Sequence, residues 1–238
     1  MKFLLLLPFF LRPKTVKNAL QSIKDSPYKD WNLAFICDSP EIPGKPVVEE
    51  MFNEEELNKT KFYSTGDTAE QKRIQGQSRF GQFMNLAIKE SNADIVLMVN
   101  DDDALFPSHL NHLNKYYQEH PEVFYSYGHI ILFNPLEEDF NVIKHRTEAS
   151  EYLKHYGPID PFCRLDSSQV SWRRVCNIEG NCWFHEFKTS NQDACMWEQL
   201  RQKYGLCVFN GGIMSFKGWH NKRLGYTRHV NNPYGDTE

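Results

Sequence analysis

Three adjacent aspartates, Asp101, Asp102 and Asp103, are the residues of this chain with the clearest chemistry. They follow Asn100 and the apolar segment 95–99, which has the length of a buried strand and is too short for a helix. Adjacent carboxylates disfavour joint ionisation unless a cation lies among them, and Mg²⁺ and Mn²⁺ prefer carboxylate oxygens as ligands. The run therefore predicts a site for Mn²⁺ or Mg²⁺. The alternative is an aspartate-rich turn in which one residue caps the next helix.

Other charged residues stand where they could meet a phosphorylated ligand. Asp38 follows the strand-like segment 31–37, and its carboxylate either accepts hydrogen bonds from a base or ribose or opens an Asx turn. Lys72, Arg73 and Arg79 lie in a polar stretch before a helical pattern. They either contact phosphates or the base, or form a solvated basic face. Both interpretations stay open for each residue.

A further carboxylate, Asp193, begins a helical pattern that runs to Tyr204. Trp197, Leu200 and Tyr204 recur at helical spacing, and Asp193 stands above this face at the first turn. That position predicts a carboxylate at the rim of a cleft, although a first-turn aspartate also interacts favourably with the helix dipole. Residues 217–229 include basic side chains and no acidic ones, which predicts attraction of a phosphate group.

The elements that must position these residues alternate between strands and helices through the first half of the chain. Strands are predicted at residues 3–7, 31–37, 61–64 and 95–99, and helices at 13–25, 47–57, 80–88 and 107–120. This alternation predicts a mainly parallel sheet and hence the α/β fold class. The second half predicts strands at 123–133 and 169–174, a helix at 193–204, and a strand or hairpin at 206–216.

The 238-residue chain, 40% of it hydrophobic, is expected to form one compact domain. A net charge of −4 and a pI near 6.1 argue against a nucleic-acid-binding protein, which normally needs a basic surface. The apolar start is followed by Arg12-Pro13-Lys14 and not by a small-residue cleavage site, so we interpret it as a strand and not as a signal peptide. Because no apolar stretch approaches about 20 residues, we expect no transmembrane segment and predict a cytoplasmic location.

The order and spacing of these features resemble a family 2 glycosyltransferase of the GT-A fold. The matching stretches are residues 4–20 with Arg-Pro at a helix start, 31–38 ending in Asp38, 76–89 containing Asn85, and 94–107 with a D-x-D motif before Pro107. The resemblance implies a Rossmann-like, mainly parallel central sheet flanked by helices, with a smaller acceptor-side sheet region. Residues 1–238 would form one such domain, with 1–106 as the nucleotide-sugar-binding half and 107–238 as the acceptor-binding half and C-terminal lid.

The resemblance also implies roles for residues on the donor side. Asp102 would coordinate the metal with help from Asp101 or Asp103, although Asn100 stands where the family often has an aspartate. His220 resembles a C-terminal histidine that completes the metal site in some relatives of the fold. The nucleotide-sugar-binding residues would be Asp38, Lys72, Arg73, Arg79, Asn85 and Asp101, with Asp38 contacting the base.

On the acceptor side, Asp193 resembles the aspartate of a Glu-Asp motif that is the catalytic base of inverting family members, with Gln192 in place of the glutamate. A stretch containing Asp166, Gln169 and Trp172 resembles the acceptor-side strand of the family, so these three residues would bind the acceptor. An ordinary strand is the alternative, because tryptophans are more often core residues than sugar-stacking ones.

We therefore expect a hexosyl- or pentosyltransferase that depends on Mn²⁺ or Mg²⁺. It would move a sugar from a nucleotide-diphosphate sugar to the hydroxyl of a glycan or another acceptor, with inversion. A sugar nucleotidyltransferase is one alternative, but it would need a glycine-rich loop after the first strand, and residues 9–14 contain no glycine. A non-catalytic metal- or carbohydrate-binding module is the other alternative.

Overall fold

The structure is a computed structural model and describes residues 1–9, 12–37, 44–66, 79–148, 155–162, 164–186 and 192–218. The strands are β1 (Phe3–Phe9), β2 (Trp31–Cys37), β3 (Thr60–Ser64), β4 (Ile95–Met98), β5 (Ala104–Leu105), β6 (Tyr125–Phe133), β7 (Val170–Arg173) and β8 (Val208–Gly218). The helices are α1 (Val16–Asp25), α2 (Gly44–Met51), α3 (Glu54–Asn58), α4 (Phe80–Glu90), α5 (His109–Glu119), α6 (Phe140–Ile143), α7 (Val175–Ile178) and α8 (Gln192–Tyr204). A short 3₁₀ helix at Ser167–Gln169 precedes β7.

These strands form one mixed sheet in the order β3-β2-β1-β4-β7-β6-β8-β5. β1 lies between β2 and β4 and is parallel to both, and β3 is parallel to β2. The carboxyl ends of β1 to β4 therefore lie at one edge of the sheet, here called the carboxyl edge. β7 runs antiparallel between β4 and β6, and β8 is parallel to β6. The predicted α/β class is confirmed, and the acceptor-side strands continue the same sheet.

Helices cover both faces of the sheet, and the side chains of β1 alternate between these faces. The odd-numbered residues of β1 pack with the apolar face of α1, whereas Leu4 and Leu6 pack with that of α4. Burial on both faces explains why residues 3–7 form a continuous apolar run in the sequence and not an alternating pattern. The apolar start of the chain is thus a core strand, as its sequence predicted.

Two helix boundaries differ from the predicted ones. The helix predicted at 47–57 is two helices, α2 and α3, because Asn53 begins a new one. The Asn53 side chain accepts a hydrogen bond from the Glu56 amide at 3.0 Å, and the Glu56 carboxylate accepts one from the Asn53 amide at 3.0 Å. This capping box satisfies amide donors that a helix start leaves without partners. α1 begins at Val16 and not at Pro13, since residues 13–15 form a turn.

The segment predicted as a strand or hairpin at 206–216 is one long strand, β8. Gly211 within it has φ of +80°, and the register between β6 and β8 shifts on both sides of His129. Because glycine adopts positive φ readily, Gly211 allows a bulge inside the strand in place of a hairpin turn. β8 can therefore continue to Gly218 and reach the loop that follows β4.

The helices in the described ranges include none that is both long and apolar enough to span a membrane. The longest of them, α8, has 13 residues, whereas crossing the hydrocarbon core takes about 20. The predicted cytoplasmic location and the division of the domain at residue 106 stay predictions.

Candidate active site

The loop after β4, residues 100–103 and here called the aspartate loop, brings two carboxylates to one point at the carboxyl edge. A tight turn closes it, in which the Asp103 amide donates to the Asn100 carbonyl at 3.1 Å. An oxygen of Asp101 lies 3.1 Å from Nη1 of Arg12, and an oxygen of Asp102 lies 2.8 Å from the same atom. Both aspartates are buried, at 6% and 4% exposure. Their carboxylates thus converge on a single cationic position.

Asp103, the third residue of the run, has a different environment. One of its carboxylate oxygens accepts a hydrogen bond from the Gly218 amide at 2.9 Å. The other accepts one from the Asn100 side chain at 2.8 Å and one from Lys217 at 3.2 Å. Complete burial raises the pKa of Asp103 to about 7, and Lys217 opposes this shift. Asp103 therefore fastens the aspartate loop to the end of β8, and these contacts argue against its predicted role as a metal ligand.

Lys217 connects the aspartate loop with the acceptor side of the protein. Its Nζ lies 3.2 Å from an oxygen of Asp103 and 3.2 Å from an oxygen of Asp166, and its side chain is 17% exposed. Burial opposes the charge of Lys217, but the two aspartates outweigh burial and raise its pKa. The next residue, Gly218, runs so close to the loop that a Cβ atom there would lie 2.1 Å from the Asp102 carbonyl oxygen. Charge and close backbone contact together hold the end of β8 against the loop.

The substitution Lys217→Met should lower the free energy of unfolding by about 3–5 kcal/mol, because it leaves Asp103 buried without its counter-charge. Urea unfolding at about pH 8, above the pKa of about 7 of Asp103, measures this loss. Lys115→Met is the matched control, since Lys115 is 75% exposed and pairs with Glu119 at 3.8 Å, a contact worth less than about 1 kcal/mol. Equal losses for the two variants would mean that Lys217 contributes no more than a surface ion pair.

Asp193 lies in the first turn of α8 and is half-buried. One of its carboxylate oxygens accepts a hydrogen bond from the Ala194 amide at 2.8 Å. Burial raises the pKa of this carboxyl, and the charge of Asp166 raises it further, while the Ala194 amide and Lys217 oppose the shift. Asp193 therefore shares the electrostatic environment of the Asp166–Lys217 pair, and this pair connects it with the aspartate loop.

Contacts between α8 and α4 set the position of Asp193. The Gln192 side chain accepts a hydrogen bond from the Gly81 amide at 2.9 Å in the first turn of α4. Glutamine makes this contact without bringing a buried charge, in place of the glutamate that the resemblance implies at this position. Asn85 is buried and bonds to the Phe184 backbone through both of its amide atoms, at 2.9 and 3.0 Å. Asn85 therefore positions a neighbouring segment, which argues against its predicted nucleotide contact.

Two of the predicted acceptor-binding residues make internal contacts. Asp166 caps the 3₁₀ helix, where it accepts hydrogen bonds from the Ser168 amide at 3.0 Å and hydroxyl at 2.8 Å, and it pairs with Lys217. Gln169 is completely buried and donates to the Gly128 carbonyl at 2.9 Å. Because its side chain is completely buried, this environment argues against the predicted acceptor contact of Gln169. Asp166 contributes to the charge network of the site.

Trp172 was the third predicted acceptor-binding residue, and the structure assigns it to the core. Its side chain is completely buried, and its ring packs edge-on against Trp197 and Phe184. The indole nitrogen donates to the Asn177 side chain at 2.8 Å, so this buried polar atom is satisfied inside the protein. Burial against Trp197 and Phe184 argues against the predicted acceptor-binding role of Trp172.

The predicted donor-side residue Arg79 lies beside the carboxyl end of β3, where it donates to the Thr65 carbonyl at 3.3 Å. It also donates to the Gln82 side chain at 3.1 Å and lies 5.6 Å from the centre of the Phe83 ring. Arg79 is therefore at the same edge of the sheet as the aspartate loop. The remaining predicted residues Asp38, Lys72, Arg73 and His220 lie outside the described residues, and their roles stay predictions.

Sequence reasoning misses two basic residues that the structure brings to the site, Arg12 and Lys217. Each has a sequence signal, because Arg12 belongs to the Arg-Pro pair after the first strand and Lys217 begins the basic segment 217–229. Arg12 is 89 positions from Asp101, and Lys217 is 114 positions from Asp103. Local patterns therefore do not reveal which acidic residue each would meet.

Comparison with known families agrees with this geometry. The sequence profile described as glycosyl transferase family 2 matches residues 5–163. The chain belongs to glycosyl transferase family 2. No curated protein sequence matches this glycosyltransferase significantly.

Solved structures with a similar fold cover most of this glycosyltransferase. TarS 1-349 of S. aureus has 16% identity and a TM-score of 0.66, over 92% of this chain and 60% of that one. The same protein in complex with UDP-GlcNAc has 15% identity and a TM-score of 0.65, over 92% and 59%. The mannosyltransferase PcManGT from Pyrobaculum calidifontis, in complex with GDP-Man and Mn²⁺, has 12% identity and a TM-score of 0.57, over 93% and 58%. These similarities confirm the GT-A fold, and the present chain spans about 60% of the length of the chains in these structures.

The aspartate loop of this glycosyltransferase offers the kind of ligand atoms that divalent cations such as Mg²⁺ prefer. Asp101 and Asp102 offer hard carboxylate oxygens that converge on one point. Within the described ranges, no group of three His, Cys, Asp or Glu side chains is arranged to hold a metal. Two carboxylates are nevertheless enough for Mg²⁺, which usually completes its coordination with water and substrate phosphates.

Proposed function

We propose that this glycosyltransferase moves a sugar from a nucleotide-diphosphate sugar to an acceptor hydroxyl with inversion, and that it requires Mn²⁺ or Mg²⁺. The observation that carries the proposal is the convergence of Asp101 and Asp102 on one cationic position at the carboxyl edge. Phosphorylated ligands of open α/β sheets bind at this edge. Asp193 supports the proposal, because the charges of Asp166 and Lys217, which connect with the aspartate loop, also act on its carboxyl.

On the donor side, Asp101 and Asp102 are the proposed metal ligands. A metal held there supplies positive charge against the charge that develops on the departing diphosphate. Arg79 is the described basic residue proposed to meet the donor, since it lies at the carboxyl end of β3. The proposal also includes Asp38 at the base, Lys72 and Arg73 at the phosphates, and His220 at the metal.

On the acceptor side, Asp193 is the proposed catalytic base. Its carboxylate takes the proton of the acceptor hydroxyl while the hydroxyl oxygen bonds to the anomeric carbon. The bond between that carbon and the diphosphate oxygen breaks in the same step, so attack from the opposite face inverts the configuration. The raised pKa of Asp193 supports this role, because a more basic carboxylate accepts a proton more readily.

The donors to test first follow from the similar structures, which hold UDP-GlcNAc or UDP in TarS and GDP-Man with Mn²⁺ in PcManGT. We expect incubation with UDP and GDP sugars and Mn²⁺ to release one nucleoside diphosphate slowly, and EDTA to stop this release. Proton NMR of the sugar first released to water should detect the anomer opposite to that of the donor. Retention of configuration would contradict the proposed inversion. Glycan binding without hydrolysis of any donor would instead favour a non-catalytic module.

A further inference from the structure

Arg12 occupies the position on which the two candidate metal ligands converge. Its Nη1 atom is within 3.1 Å of one Asp101 oxygen and within 2.8 Å of one Asp102 oxygen. The side chain of Arg12 is 34% exposed, whereas those of the two aspartates are 8% and 5% exposed. The guanidinium therefore reaches from the surface to neutralise carboxylates that are themselves almost out of contact with water.

We propose that Arg12 is an internal counter-cation of the metal site, and that the guanidinium and the divalent ion bind Asp101 and Asp102 in alternation. This inference rests on the proposed function, in which these two aspartates hold the metal. It assigns Arg12 a role in setting the concentration of divalent metal that the enzyme needs.

Competition follows from the distances involved. Mg²⁺ binds carboxylate oxygens at about 2.0–2.1 Å, and a guanidinium nitrogen cannot share those oxygens at the same point. Without either cation, two adjacent buried carboxylates would repel each other and disfavour their charged forms. Arg12 thus supplies the positive charge that balances Asp101 and Asp102, and a divalent ion must displace it. The partly exposed side chain can move toward solvent without disturbing the core.

The test measures Mn²⁺ binding to the full chain without nucleotide, by titration and electron paramagnetic resonance of the free ion. Arg12→Ala and Arg12→Met should each bind Mn²⁺ roughly tenfold more tightly than the wild type, because the competing charge-assisted contacts are gone. Arg12→Lys, which keeps a positive charge, should lie between them and the wild type. Lys14→Ala is the matched control, since it removes an exposed positive charge two positions away and should change the affinity by less than about twofold.

Whether the Arg12 variants bind Mn²⁺ more tightly or more weakly than the wild type distinguishes competition from a structural role. If Arg12 merely held the aspartate loop in shape, its loss would loosen the ligands and weaken Mn²⁺ binding. Unchanged or weaker binding in Arg12→Ala and Arg12→Met would therefore overturn the inference. Asp102→Ala distinguishes this failure from failure of the proposed function. If that variant binds Mn²⁺ as the wild type does, the metal site itself is wrong, and both proposals fall.

Discussion

Replacing Asp193 with asparagine is expected to lower the rate of sugar transfer by about a hundredfold to ten-thousandfold, while donor and metal binding stay unchanged. Asparagine cannot take the proton of the acceptor hydroxyl. Its side-chain oxygen can still accept the hydrogen bond from the Ala194 amide, so the start of α8 should keep its geometry. The loss should therefore appear in the rate of the chemical step and not in substrate affinity.

Steady-state kinetics with a saturating donor and Mn²⁺ would measure this effect. Glu198→Gln is the matched control, because Glu198 lies on the same helix and makes a partly exposed ion pair with Arg201 at 2.8 Å. It should transfer sugar at the wild-type rate. Near wild-type transfer by Asp193→Asn, with metal still bound, would show that Asp193 is not the base.

The pH dependence provides a second readout of Asp193. Burial, aided by the charge of Asp166, raises the pKa of this carboxyl above its ordinary value of 3.8. Only the ionised form is a base, so activity should fall as the pH drops through this raised pKa, at a higher pH than for an exposed aspartate. A raised pKa also means that the folded protein holds the proton of Asp193 more tightly than the unfolded chain does. The free energy of unfolding therefore decreases as the pH rises through this pKa. Asp193→Asn should remove the acidic limb of the rate profile without lowering stability at neutral pH.

Replacing Asp102 with alanine is expected to weaken Mn²⁺ binding by at least about a hundredfold and to abolish transfer that depends on the metal. The substitution removes one of two carboxylates that converge on the cation position. Of the two aspartates that contact Arg12, the substitution leaves Asp101. The guanidinium and the metal then compete for this single carboxylate. Isothermal titration with Mn²⁺ and transfer assays at several metal concentrations would measure both effects.

Asp94→Ala is a suitable control for Asp102→Ala. Asp94 is an exposed carboxylate just before the amino end of β4, where it accepts a hydrogen bond from the Lys2 amide at 2.8 Å. The control removes the same charge from the opposite end of the same strand and should leave Mn²⁺ affinity unchanged. If the two variants lost metal affinity equally, the effect would come from net charge, and the assignment of Asp102 as a ligand would be wrong.

The strands that build the carboxyl edge could be predicted from the sequence because their signals are local. The apolar runs at 3–7, 31–37 and 95–99 depend on residues within a few positions of one another, and each run is a strand in the structure. Their alternation with helices leads to parallel pairing, which brings the carboxyl ends together. The helix that begins near Asp193 was predictable for the same reason. Its apolar positions recur within four residues.

Where local signals were ambiguous, the predictions failed or stayed open. Helical spacing continues through 47–57, but the capping box at Asn53 and Glu56 divides this segment into two helices. The segment 206–216 allowed either a strand or a hairpin, and pairing of β8 with β6 selected the strand. An aromatic residue such as Trp172 suits both a sugar site and a core. Only its burial against Phe184 and Trp197 in the tertiary structure favours the core.

The sequence by itself determined that a run of carboxylates follows a buried strand at the carboxyl edge, because strand pattern and residue type are properties of neighbouring positions. Three identical side chains carry no local signal that distinguishes them. The tertiary structure decided that Asp101 and Asp102 converge on Arg12, and that Asp103 instead binds Lys217 and the end of β8. These partners are 89 to 115 positions away. Their choice depends on how the complete sheet brings distant segments together, and burial then sets which charges must be paired.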